Sequence, residues 1–136
     1  VSTIDGITVP DDLLWSDEFA SWRVAQAQRT SLTGALIVHQ SLRQAGRPVT
    51  LESQQDGSRW VAPVSLDVLN ALRASEEAGG APFPVVLPDH NSGARTLTCT
   101  WRSSDGNAIV ARPLRFIAPY ADGDLFAVTL RLIQVD

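Results

Sequence analysis

Two histidines, one cysteine and no lysine leave this 136-residue chain little with which to do side-chain chemistry. His39 falls in an expected strand and His90 in an expected turn, and no His-x-x-x-His or Cys-x-x-Cys spacing would bring metal ligands together. His39 reads as a strand residue with a solvated or hydrogen-bonded ring. Cys99 sits in the alternating run Leu97-Thr-Cys-Thr-Trp101 and reads as an inward-facing core thiol. A Walker-type loop or a Schiff-base mechanism needs a lysine that these residues do not contain, and no Gly-x-Ser-x-Gly elbow occurs. Asp122-Gly-Asp124 and Asp105-Gly-Asn107 place oxygen ligands at alternate positions, but neither continues to the distant Glu of a calcium loop. Turn chemistry accounts for both. Glu76-Glu77 reads as a solvated helix end. No catalytic, cofactor-binding or metal-binding residue is therefore expected, and the chain does not read as an enzyme.

The elements around these residues are those of one domain, since a chain of this length buries roughly two thirds of its unfolded surface. No apolar run approaches the roughly 20 residues of a membrane helix, and the first residues lack the pattern of a signal peptide. All eleven basic residues are arginine, against fifteen acids, for a net charge of −4. The arginines read as scattered among the acids, so no nucleic-acid-binding stripe is expected.

Hydrophobic period predicts an α+β chain. Residues 1–28 lack steady periodicity, mix Asp11, Asp12, Asp17 and Glu18 with Trp15, Phe19 and Trp22, and read as an N-terminal arm folded over its own sheet or over a neighbour. Residues 29–136 read as the domain proper. Thr30 to His39 and Ala45 to Ser53 are expected to form a long β-hairpin over about 30–53, covered on both faces and joined by an overlong connection at 41–47. A strand over 58–62 leads into a helix over about 65–78, with Ser65 as N-cap, a stripe of Leu66, Leu69 and Leu72, and Gly79-Gly80 as its stop. Strands are expected over 82–87, 94–102, 108–118 and 125–135, with Asp105-Gly106 turning a hairpin between the second and third.

Leu32-Thr-Gly-Ala-Leu-Ile-Val38, then Gly46-Arg-Pro-Val-Thr-Leu51, then Trp60 and the helix of Leu66-Asp-Val-Leu-Asn-Ala-Leu72 resemble the small tail proteins of long-tailed bacteriophages. Ile7-Thr-Val-Pro-Asp-Asp-Leu-Leu-Trp-Ser-Asp-Glu-Phe19 is similar to their opening. The nearest groups are the distal tail proteins and the lambda-type minor tail protein M, which share the fold of tail-tube subunits. The resemblance implies a mainly antiparallel β-sandwich or split barrel with one flanking helix. It also implies a virion structural protein of the tail, assembled in the host cytoplasm, that forms a homo-hexameric ring between the tail tube and the tip hub. DNA would be only passing cargo, and no membrane would be involved. On that reading, Arg43 and Arg47 in the hairpin connection would meet Asp11, Asp12, Asp17 or Glu18 of another subunit, with Trp15 and Trp22 of the arm lying on the neighbour. A tube or terminator subunit is the alternative within the same class. A small carbohydrate- or peptide-binding β module, with tryptophans as its platform, is the alternative from another.

Overall fold

The computed structural model describes residues 2–20, 22–79, 81–89, 93–104, 106–115 and 119–135. Along them the chain forms β1 (Ser2–Ile4), β2 (Ile7–Val9), β3 (Leu14–Trp15), β4 (Val24–Thr30), β5 (Leu36–Leu42), β6 (Pro48–Glu52), β7 (Gln54–Asp56), β8 (Arg59–Val61) and β9 (Val64–Ser65). Helix α1 (Leu66–Ala78) follows, then β10 (Phe83–Pro88), β11 (Ala94–Trp101), β12 (Ile109–Pro113) and β13 (Leu125–Gln134). The protein is a mostly antiparallel β-sheet with one short helix, a β-rich α+β fold.

Nine strands share one sheet in the order β2-β1-β10-β11-β13-β6-β3, with β9 and β12 also paired to β13. β13 organises it because its period-two pattern is unbroken: Phe126, Val128, Leu130 and Leu132 are buried and alternate with less buried residues. Leu130 stands opposite Leu51 of β6 and Leu132 opposite Val49, all four closed to solvent. Phe83, Val85 and Leu87 of β10 join the same core with Ile4, Trp15 and Cys99. α1 carries Asp67 in its first turn, ends at Gly79 with a φ of 77°, and adds Leu69 and Leu72 to that core. In a flat sheet β11 and β3 would lie three strand spacings apart, about 14 Å. Instead Arg95 of β11 and Glu18, just past β3, form an ion pair at 2.6 Å, so the sheet curls around its core. No strand pairing joins β2 to β3 among the described residues, and the curl stays open.

The hairpin expected over 30–53 is not formed. β5 pairs with β4, from Val24 opposite Leu42 to Thr30 opposite Leu36, with the turn at 31–35. Residues 41–47 are thus the exit of a hairpin, not its connection, and β6 pairs with β13 and β3 instead. The core decides this: Val49 and Leu51 are buried only by lying between Leu132, Leu130 and Trp15. The β5 strand, expected to be covered on both faces, is largely exposed.

The N-terminal segment, expected to fold over its own sheet or over a neighbour, supplies strands β1, β2 and β3 to the sheet itself. Asp5 and Gly6, with φ of 51° and 78°, make the two-residue turn of a β1-β2 hairpin, which pairs with β10. β3 caps the other end of the sheet.

Asp105 of the turn expected at Asp105-Gly106 lies outside the described residues, and among those described β11 and β12 do not pair with each other. Both lie along the same side of β13, β11 opposite 132–134 and β12 opposite 126–130. Between them, Arg102 N–H donates to the Arg131 carbonyl (3.0 Å) and Arg131 N–H donates to the Ala108 carbonyl (2.8 Å). Arg102 and Ala108 thus meet the same residue of what is otherwise one strand edge. β12 ends at Pro113, and positions 116–118 of the expected strand lie outside the described residues, as does His90.

Candidate functional site

β4 and β5 form a separate two-stranded ribbon, an arm of seven residue pairs that neither strand extends into the sheet. One face carries Val24 and Leu42, Gln26 and Gln40, Gln28 and Val38, then Thr30 and Leu36; the other carries Ala25, Ala27 and Arg29 opposite Ser41, His39 and Ile37. Leu36 is 64% exposed, Leu42 56% and Val38 45%, and Leu32 at the tip is fully exposed. Local bonds hold the ribbon in shape. Gln28 donates to Gln26 and Gln26 to Gln40 along the first face, and in the tip Ser31 N–H donates to the Ala35 carbonyl while Ala35 N–H donates to Ser31 Oγ.

The root of the arm gathers most of the residues the sequence singles out, but within one chain. Arg43 donates through its backbone to the Arg23 carbonyl (2.6 Å) and through Nη1 to the Trp22 carbonyl (2.7 Å). Arg47 Nη2 donates to the Glu18 carbonyl (2.9 Å), and its guanidinium lies 4.5 Å from the centre of the buried Trp15 ring. Arg95 lies 4.7 Å from the same ring while pairing with Glu18. Each such cation–ring contact contributes roughly 0.5–2 kcal/mol. Asp17 accepts from Thr50 N–H (3.0 Å) and Thr50 Oγ1 (2.9 Å), occupying the edge of β6, and Asp11 accepts from Ser2 N–H (2.6 Å). Of the acids expected to face Arg43 and Arg47, Glu18 meets Arg47 through its carbonyl oxygen. Asp12 is exposed beside β3, Trp22 is half-buried, and Phe19 is 85% exposed.

Beside β3 lies a cleft of about 280 Å³ lined by Asp12, Leu13, Leu14, Trp15, Leu87 and Asp89 among others. Leu14 in it is 48% exposed. Of the tryptophans a sugar-binding platform could use, Trp15 is buried, Trp101 packs on Phe83 (5.7 Å between ring centres) and donates to Ser75 Oγ, Trp60 lies beneath Arg112, and Trp22 is half-buried. Among the described residues no three His, Cys, Asp or Glu side chains are grouped to hold a metal, and no helix is long and apolar enough to cross a membrane. His39 stands exposed on the arm opposite Ala27, and Cys99 is buried.

Sequence reasoning missed β4, the first strand of the arm, and with it the arm itself. The available signal was electrostatic. Between Glu18 and Glu52 the chain carries four of its eleven arginines and no acid, while the other seven arginines share the remaining residues with all fifteen acids. The arginines are therefore not scattered: the arm and its root are basic and the body is acidic. Comparison of the chain with protein-family models, with curated proteins and with solved structures returned no significant match.

Proposed function

We propose that this chain is a structural subunit of the virion of a long-tailed bacteriophage, forming a ring at the distal end of the tail that links the tail tube to the tip hub. The observation that carries the reading is the arm. A ribbon that adds nothing to its own core and holds leucines and valines in water is an incomplete surface, and a neighbouring subunit completes it. The open curled sheet with one flanking helix suits the sandwich or split barrel of tail-tube subunits. An acidic body facing the bore of a homo-hexamer would let DNA pass, because phosphate binding draws on basic side chains.

Sedimentation and electron microscopy of the purified protein test this reading. A ring that stops at one or two tiers is expected. Long filaments would instead indicate a tube subunit, and a protein that stays monomeric at every concentration while its tryptophan fluorescence responds to host polysaccharide would favour the binding module and sink the proposal.

A further inference from the structure

We infer that the tip of the arm docks in the cleft beside β3 of a second copy of this chain, with Leu32 as apolar anchor and Arg29 facing Asp12. The inference rests on the assembly reading above and names the contact that would build it. Leu32 lies in the tip and Arg29 in the next-to-last residue pair before it, both exposed, and the Arg29 side chain makes no ion pair or hydrogen bond among the described residues. The cleft offers a complementary set, an apolar floor of Leu13, Leu14 and Leu87 with the exposed Asp12 carboxylate beside it, while Arg95, which also lines it, is paired with Glu18.

A second copy is required by the arm's own geometry. Its root is held at Trp15 and Glu18 through Arg47, beside this same cleft, whereas seven extended pairs carry the tip about 20 Å away. A chain cannot place its own tip at its own root without breaking the ribbon. Tip to root between copies is a heterologous contact, which closes into a ring or continues as a helix. The charge division favours protein over nucleic acid as the occupant, since a basic arm meets an acidic body and the leucines at the tip have no use for phosphate.

Sedimentation velocity at low and high salt on the full chain and on R29E, D12R and the double exchange tests the contact, with circular dichroism checking that these exposed substitutions leave the fold intact. The wild type is expected to associate, less so at high salt. Each single exchange should weaken association on the order of tenfold, and the double should recover most of it. If both single variants associate like the wild type while trimming residues 24–42 abolishes association, the arm docks elsewhere, and this inference fails while the assembly reading stands. If trimming also changes nothing, the arm is no part of the contact and this inference alone fails, whereas a wild type that never associates sinks both. Capture of duplex DNA by the wild type but not by R29E would overturn the choice of partner.

Discussion

The body and the arm of this protein are both antiparallel β-structure, yet their residues answer to different constraints. In the body, alternation selects what is buried: β13 turns four apolar side chains inward, and their partners come from strands far away in sequence. In the arm the same kind of ladder buries almost nothing, and its apolar residues face outward on a ribbon held by turn and side-chain bonds. A ladder supplies geometry, and only a second layer supplies a reason for leucine and valine. The arm has the first without the second, which is why its composition points away from its own chain.

The sharpest test of this contrast is Leu130→Ala, which empties a fully buried position on β13 and should cost about 2–5 kcal/mol in urea unfolding. If it costs no more than an arm substitution, the division into core and appendage is wrong. At the boundary between the two regions, Arg47→Ala removes the cation over Trp15 and the bond to the Glu18 carbonyl. It should lower stability by about 1–2 kcal/mol and expose residues 19–23 to limited proteolysis. Within the arm, Leu36→Ser with Val38→Ser should stay within about 0.5 kcal/mol of the wild type while reducing retention on a hydrophobic matrix. A larger loss would mean that the arm folds back on its own body.

The smallest effect belongs to the helix start. The Ser65 hydroxyl, with the Val68 N–H, holds the exposed Asp67 carboxyl below its ordinary value of 3.8. A carboxyl whose folded value is depressed stabilises above its unfolded value and loses that contribution as pH falls through the folded one. Asp67→Asn should therefore be slightly less stable than the wild type at neutral pH and indistinguishable from it in strong acid. A difference that persists in acid would assign the effect to something other than charge.

These contrasts also explain what could be read in advance. β13 and α1 were legible because ten and thirteen residues are enough to display a period, and Ser65 and Gly79 mark the helix ends. The β1-β2 hairpin was not, although Asp5-Gly6 between two isoleucines is a strong turn signal, because three-residue strands show no period to flank it. The register of β5 failed for a different reason: Leu36-Ile-Val38 looks like a strand buried on both faces, and alternation says nothing about which strand is its partner. Arg43 and Arg47 were expected to meet Asp11, Asp12, Asp17 or Glu18 of another subunit, and within the chain they meet the Trp22 and Glu18 carbonyls and the Trp15 ring. Whether such a cluster lies inside one chain or between two is set by the path of residues 16–24, which no local pattern encodes.

Arg102 and Ala108 bond the two backbone groups of a single residue of β13, Arg131, whose side chain also donates to the Asn107 carbonyl (3.2 Å). Because the two share one rung of the ladder, the number of residues between them has no bearing on the register of β11 or β12. Lengthening a loop adds only about 0.6 kcal/mol for each doubling. A peptide tag or a fluorescent label spliced between Arg102 and Ala108 should therefore leave the pairing of β11 and β12 with β13 intact, giving a handle on the subunit.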